Sequence, residues 1–251
     1  MTEGLARQGV DDELTRLREQ LAERERLVAE KERQLEAYAR DLNDTFKKER
    51  ARTQELRESY VHTVRALTNA VEARDPYTGK HAERVAAYGL ELARAIDVRL
   101  ADDPQSEMGF LLHDIGKIAI PDGILYKKDA LTPEERALMR THPVVGWEIL
   151  AGIPFLEEAR KVVRHHHERW DGSGYPDRLK GEDIPLSARV FAVADALDAI
   201  TTDRPYRAAR SFAAARTAIA RGSGTQFDPR VVEALESITD ARLEQLRREI
   251  G

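Results

Sequence analysis

The stretch that decides the fold is Leu111-Leu112-His113-Asp114-Ile115-Gly116-Lys117. His113 and Asp114 interrupt an apolar run that is typical of a buried helix face, and burying them unpaired would cost several kcal/mol. On a helix the two side chains lie about 100° apart, so an imidazole nitrogen and a carboxylate oxygen can converge on one cation. Lys117, at i+4 from His113, projects into the same space. The segment predicts a metal site, and a buried His-Asp hydrogen bond without metal is the alternative.

Two further segments carry ionisable side chains in a helical context. Arg164-His165-His166-His167-Glu168 places two histidines at a helix end, where both can face one site, although a surface polar run has the same letters. Asp195 and Asp198 share one face of an apolar helix at i+3 spacing. Buried carboxylates on such a helix favour a functional site, with capping or salt bridging as the alternative.

Composition limits the classes of function. The charged fraction of 34% and net charge of -5 do not suit general nucleic-acid binding, which needs a strongly basic face. The absence of cysteine excludes disulfides, thiolate-bound zinc and cysteine-ligated iron-sulfur clusters. Any metal must therefore be held by histidines and carboxylates. The charge balance leads us to expect no DNA or RNA partner. Since no apolar stretch approaches ~20 residues and the N-terminus lacks a signal-peptide core, we expect a cytoplasmic chain without a membrane span.

The N-terminal quarter of the chain predicts one long helix. No proline occurs between Asp11 and Asp75. Apolar side chains recur at multiples of seven, while the positions three residues on are mixed. The recurring residues are Leu14, Leu21, Val28, Leu35, Leu42 and Leu56, with Leu17 and Tyr38 fitting and Arg24 and Lys31 not fitting at the companion positions. The pattern predicts a parallel two-stranded coiled coil and hence a homodimer, and a single solvated helix is the alternative.

The rest of the chain predicts an all-α domain. From Leu56 the apolar spacing tightens through Tyr60, Val64, Leu67 and Val71, so the long helix continues as the first core element. After Asp75-Pro76, strand alternation is nearly absent and shorter helical patterns follow. We expect helices at 81–96, 107–117, 133–150, 156–167, 186–202, 212–221 and 229–238, the third of these capped by Thr132-Pro133-Glu134-Glu135. The expected boundaries are 1–60 for a coiled-coil signalling helix, 61–238 for the domain and 239–251 for a short charged C-terminal helix.

Taken together, the motifs resemble the HD-GYP signature over about residues 67–235. They are His81, His113-Asp114 with Gly116-Lys117, His142, His166-His167, Trp170-Asp171-Gly172-Ser173-Gly174-Tyr175-Pro176 and Asp195. The resemblance continues in Asp75-Pro76-Tyr77-Thr78-Gly79, in Asp198-Ala199 with Arg204-Pro205-Tyr206-Arg207, and in Gln226-Phe227-Asp228-Pro229. It implies an HD-type bundle of about seven helices around a metal centre.

The resemblance also implies chemistry, namely hydrolysis of cyclic di-GMP to pGpG or GMP by two divalent metal ions. One ion would be held by His81, His113, Asp114 and Asp195, and the other by Asp114, His142, His166 and His167. Some members have a glutamate for a third ion where this chain has Tyr77, so two ions are expected. Nitrogen and oxygen donors suit iron, manganese or zinc, and the resemblance favours iron or manganese.

Further roles follow from matching positions. Asp114, Lys117 and Asp198 are the catalytic candidates, with Asp198 orienting a site group or a leaving oxygen. The substrate-binding candidates are Lys117, Arg204, Arg207 and Tyr175, although salt bridges to Asp203 would also explain the two arginines. The loop that carries Tyr175 would shape the site and contact partners such as GGDEF-domain proteins. Surface positions are expected for His62 and His165.

Two other functions remain open at this point. An HD-type enzyme with the same metal residues could hydrolyse another cyclic dinucleotide or a nucleotide phosphomonoester. A non-catalytic module could instead bind a cyclic dinucleotide or a GGDEF domain. Loss of a metal ligand would favour the second of these, and all seven expected ligands are present.

Overall fold

The computed structural model describes residues 2–73, 80–203 and 208–250, with side chains described from residue 13 onward. Within these residues there are twelve α-helices and no β-strand. The helices are α1 (Thr2–Glu72), α2 (His81–Ile96), α3 (Val98–Asp102), α4 (Pro104–Leu112), α5 (Asp122–Leu125), α6 (Pro133–Met139), α7 (His142–Ile149), α8 (Glu157–His165), α9 (Leu186–Thr201), α10 (Phe212–Arg221), α11 (Pro229–Ser237) and α12 (Asp240–Ile250). Short 3-10 helices occupy Ile115–Ala119, Pro154–Leu156 and Gly181–Asp183. The prediction of an all-α fold with a long N-terminal helix is confirmed.

The chain divides into two compact units, residues 1–58 and 59–251. The described part of the first unit consists of the N-terminal turns of helix α1, up to residue 58, and its seam side chains are solvent-exposed. They include Leu14, Leu17, Leu21, Val28, Leu35, Tyr38 and Leu42. None of the described helices combines the length and the apolar character that a membrane span requires. Whether α1 pairs with a second copy stays a prediction.

The core of the second unit lies between α2, α4, α8 and α9. Helix α2 packs on both α4 and α9, and α4 packs on α8. Large apolar side chains fill the space between them, among them Tyr88 of α2, Phe110 of α4 and Phe191 of α9. Leu243 of α12 is also fully buried in this core. The central helices therefore place their ends, which carry the ionisable motifs, on a rigid scaffold.

The last turns of α1 belong to the second unit, but with a different buried face from the one expected. Val64 and Thr68 are buried, and the Thr68 hydroxyl donates to the Leu111 carbonyl at 3.2 Å. Leu67 is 51% exposed and Tyr60 is 41% exposed, the latter stacked on Phe155. The prediction that Tyr60 and Leu67 face the core is wrong, because the helix turns its Val64 and Thr68 side toward α4.

Two predicted helices are broken in the structure. The segment expected at 133–150 forms α6 and α7, because Pro143 cannot donate the hydrogen bond that would continue α6. The segment expected at 107–117 begins at Pro104, ends at Leu112 and continues as the 3-10 helix Ile115–Ala119. His113 and Asp114 therefore lie at a helix end and not within a regular helix. The predicted cap at Thr132 is confirmed, with a reciprocal hydrogen-bond pair to Glu135.

Candidate metal centre

Four of the predicted ligands converge on one point. Asp114 follows the end of α4, His142 is the first residue of α7, and His166 and His167 follow the end of α8. Because α7 packs against both α8 and the 3-10 helix that follows Asp114, these chain ends meet. One donor atom from each of the four residues lies within 4.8 Å of the others. This arrangement is a potential metal site.

Three histidines present the same ring nitrogen to the site. The Nδ1 atoms of His113, His142 and His166 lie 2.8–2.9 Å from the carbonyl oxygens of Phe110, Met139 and Val163, in each case three residues earlier. A carbonyl only accepts, so each Nδ1 donates and each Nε2 carries a free lone pair. Backbone hydrogen bonds of this kind orient metal-binding histidines.

These lone pairs lie close to one another and to a carboxylate. His142 Nε2 is 3.2 Å from His166 Nε2 and 3.2 Å from Asp114 Oδ1. His113 Nε2 is 3.1 Å from Asp114 Oδ2. Acceptors at such distances repel each other unless a proton or a cation lies between them. The donor set therefore fits a divalent first-row metal ion, for which nitrogen and carboxylate oxygen are ordinary ligands.

The protonation states suit a cation. Burial, followed by the neighbouring His167 and His142, holds the pKa of His166 well below its usual range. Burial and the neighbouring His142 lower the pKa of His167 to about 3. Burial alone would raise the pKa of Asp114, but Lys117 and His113 outweigh it and hold that pKa well below its usual range. His166 and His167 are thus neutral and Asp114 is ionised, as metal ligands must be.

The other predicted ligands form a second group next to the first. His81 Nε2 lies 3.4 Å from Asp195 Oδ1, and the His81 ring makes an edge contact with His113 at 5.6 Å between centroids. His81 Nδ1 lies 2.7 Å from Asp198 Oδ2, and the Asp198 carboxylate also accepts from Arg84 Nε at 2.6 Å. Asp195 and His81 do not join the tight group around Asp114 within the described residues. The Asp198 carboxylate thus contacts both His81 and Arg84.

Lys117 and Tyr175 border the group. Lys117 Nζ lies 2.8 Å from Asp114 Oδ2. The Tyr175 ring stacks on the His167 ring at 4.7 Å between centroids, and the Arg140 guanidinium lies 5.1 Å from the Tyr175 ring. Burial raises the pKa of Tyr175 to about 12, with smaller effects from the charges of Arg140, Asp114 and Lys117. The Tyr175 hydroxyl is thus protonated at neutral pH and can donate a hydrogen bond.

A family model described as HD domain matches residues 65–231, which is more than half of the chain. The chain belongs to the HD domain family. The chain matches the 3'3'-cGAMP-specific phosphodiesterase 2 of Vibrio cholerae with 39% identity over 203 residues, covering 80% of this chain and 39% of that protein. It matches the cyclic di-GMP phosphodiesterase response regulator RpfG of Xanthomonas campestris with 42% identity over 183 residues, covering 72% of this chain and 48% of that protein. The chain thus spans less than half the length of these two relatives.

A solved structure agrees with the fold of this HD domain. An HDG"Y"P protein from Bdellovibrio bacteriovorus superimposes with a TM-score of 0.53 at 21% identity, covering 72% of this chain and 63% of that chain. At this identity the likeness concerns the fold alone. With the family match, it confirms the predicted HD-type helical domain and the HD-GYP resemblance.

Several site residues of the HD domain were missed or misplaced by sequence reasoning. Arg84 is buried beside Asp198, and its only sequence signal is a charge three residues after His81 in an apolar run. Glu72 borders a cavity of about 20 Å³ beside His81, and burial raises its pKa. The expectation that His165 lies at the surface is wrong, because its side chain is only 14% exposed, while His62 is exposed as expected.

Three predicted positions lie outside the described residues. They are Tyr77, Arg204 and Arg207. The expectation of two metal ions, which rests on Tyr77, therefore stays a prediction. The expected phosphate contacts of the two arginines also stay predictions.

Proposed function

We propose that this chain is a metal-dependent phosphodiesterase that hydrolyses cyclic dinucleotides, with cyclic di-GMP as the first candidate substrate. The observation that carries the proposal is the convergence of the Nε2 atoms of His142 and His166 on Asp114, with His167 in the same group. Both relatives described above are named as cyclic dinucleotide phosphodiesterases, and this supports the proposed reaction class.

We propose two divalent ions, iron or manganese, with zinc also suited to these donors. His142, His166, His167 and Asp114 would hold one ion, and His81, His113, Asp195 and the shared Asp114 would hold the other. Bound there, the ions would activate water and offset the negative charge of the phosphodiester. The neutral state of His166 and His167 and the ionised state of Asp114 support the first of these two sites.

The chain's own residues would bind and orient the substrate. Lys117, which lies beside Asp114, would place its positive charge near a phosphate oxygen. Tyr175 would donate its hydroxyl to the substrate from its position against His167. Asp198 would act by orienting His81, since its carboxylate is buried between His81 and Arg84. Arg204 and Arg207 remain proposed phosphate contacts on the strength of the motif alone.

The domain limits and partners are part of the same proposal. A coiled-coil signalling helix would occupy 1–60, the phosphodiesterase domain 61–238 and a short charged helix 239–251. The chain would act in the cytoplasm as a homodimer through its N-terminal helix. GGDEF-domain proteins would be partners of the loop that carries Tyr175.

Cyclic GMP-AMP is the second candidate substrate. A 39% identical relative is named for 3'3'-cGAMP, whereas the 42% identical relative is named for cyclic di-GMP. Both substrates present a phosphodiester to the same metal residues, so only the bases differ. Turnover of each as sole substrate separates the two assignments.

The test is turnover by protein prepared anaerobically with iron or manganese. Cyclic di-GMP or cyclic GMP-AMP is added, and the products are resolved by chromatography beside D114A. D129A is the matched control, since Asp129 is exposed and is not among the residues that converge at the metal centre. We expect turnover by the wild type and D129A and a loss of at least about a hundredfold in D114A. Equal turnover by D114A would reject the metal chemistry, and turnover of neither substrate by the wild type would reject the assignment.

A further inference from the structure

A cleft of about 950 Å³ opens beside the metal centre. Its volume lies at the upper end of the ~300–1,000 Å³ that is usual for ligand sites. None of the four converging residues lines the cleft, but the cleft adjoins the centre at two points. Its wall includes Thr141, which precedes His142, and Tyr175, whose ring stacks on His167. A ligand with one group at the centre can therefore extend into the cleft.

The cleft is basic. Arg136 and Arg140 both line it, against Glu148 as the one acidic lining residue among those described. Neither arginine forms an ion pair with a carboxylate in the described parts of the chain. The two arginines are spaced i, i+4, so they are neighbours on one face, where like charges destabilise a helix. An anion bound between them would remove that repulsion.

Arg140 is held in a defined position. Its guanidinium lies over the Tyr175 ring, which packs in turn on His167. The edge of a guanidinium can donate two parallel hydrogen bonds to a phosphate. The contacts of Arg140 with Tyr175 and of Tyr175 with His167 thus place a phosphate-binding group beside the metal centre.

A cyclic dinucleotide carries two phosphodiesters, and only one can occupy the centre during a single hydrolysis. The other keeps its negative charge and needs a partner. We propose that Arg140, assisted by Arg136, binds this second phosphate, so that the cleft selects cyclic dinucleotides over esters with one phosphate. This inference rests on the proposed function and assigns a substrate contact to the α6 side of the site.

The experiment compares cyclic di-GMP with bis(p-nitrophenyl) phosphate, which has one phosphodiester. For R140A we expect the ratio of kcat/KM between the two substrates to fall at least about tenfold, mainly through KM for the dinucleotide. R140K should recover part of this ratio, because lysine keeps the charge and loses the bidentate fork. In R136A the ratio of kcat/KM between the two substrates should fall by a smaller factor. R221A is the matched control, an exposed arginine on α10, and should keep the wild-type ratio.

The possible outcomes distinguish a failure of the Arg140 phosphate contact from a failure of the proposed phosphodiesterase function. An unchanged ratio in R140A, with cyclic di-GMP still hydrolysed, would overturn the inference and leave the proposed function standing. An equal loss on both substrates would also overturn it, since that result indicates a disturbed metal centre. Wild-type hydrolysis of the small ester without any cyclic dinucleotide turnover would overturn both.

Discussion

At the scale of single residues, Asp198 joins two buried side chains. Its carboxylate accepts from Arg84 and lies 2.7 Å from His81 Nδ1, and it is 2% exposed. We expect D198N to lower metal affinity by about 10–100-fold, because His81 loses the partner that orients its ring. It should also lower the free energy of unfolding by about 3–5 kcal/mol, because the buried ion pair between Arg84 and Asp198 is broken. Metal titration and denaturant unfolding measure the two effects.

Two further variants separate the loss of metal affinity from the loss of stability. Adding R84M to D198N removes the buried charge that lost its ion pair with Asp198, so stability should recover while metal affinity stays low. D195N is the matched control on the same helix. Asp195 has a 38% exposed side chain and approaches His81 without contacting Arg84, so its loss should lower metal affinity and leave stability nearly unchanged. Full metal affinity in D198N would contradict the orienting role of Asp198.

The proposed ligands could be recognised in the sequence, but the residues that support them could not. His113, Asp114 and Asp195 stand out because charge in an apolar run needs a partner. Arg84 and Arg140 carry no such signal, because an arginine near an apolar run is equally typical of a solvated helix edge. Arg84 meets its partner 114 positions away, so only the folded chain identifies it.

At the scale of elements, the metal centre depends on the contact between α7 and the 3-10 helix that precedes it in the chain. A Cβ atom added at Gly116 would lie 1.9 Å from the His142 carbonyl oxygen and 2.6 Å from the Gly146 nitrogen. Both are backbone atoms, so α7 would have to move away. We expect G116A to lower the free energy of unfolding by about 3 kcal/mol or more and to abolish tight metal binding. Thermal unfolding and metal analysis give the two readouts.

Gly123 supplies the control for this variant. It lies on α5, and a Cβ atom there meets nothing within 4 Å. G123A should therefore be neutral or stabilising by up to about 1 kcal/mol, through reduced freedom of the unfolded chain. Wild-type metal affinity in G116A would show that the close backbone approach is not needed to place His142.

The same contact explains why some elements could not be predicted. Helix α10, which begins after the Ser211 cap, has the predicted bounds. Helix α2 also has them through its regular apolar periodicity, although no side chain caps its N-terminus. The helix expected at 107–117 ends at Leu112, because the chain continues as a 3-10 helix that brings Gly116 against the start of α7. Tertiary packing decides that change, and the apolar pattern of residues 111–117 does not reveal it.

At the scale of the whole molecule, an ion pair links the C-terminal helix to the core. Arg242 of α12 donates to both oxygens of Glu91 on α2, at 3.0 Å each. The hydrogen bond from Arg242 lowers the pKa of Glu91. A carboxyl whose pKa is lower in the folded state stabilises the fold above its unfolded pKa, and this contribution is lost as the pH falls through the folded pKa.

We therefore expect E91Q to be less stable than the wild type at about pH 7, and the difference to shrink toward about pH 3. Denaturant unfolding across this range measures it. E244Q is the control, since Glu244 is exposed on the same α12 and has no ion pair in the described residues. A stability gap that does not change with pH would mean that Glu91 acts through packing alone.

The homodimer is the largest feature that the sequence predicts. Leu21 and Leu35 lie on the heptad seam of α1 and are 58% and 67% exposed in the single chain. In a parallel coiled coil these side chains would be buried between two copies. We expect L21E/L35E to sediment as a monomer at concentrations where the wild type is dimeric, because the glutamates would place like charges inside the seam. The matched control A22E/A29E adds the same charge on the outer face and should stay dimeric. Wild-type protein that is monomeric at every concentration would reject the coil and leave α1 a single solvated helix.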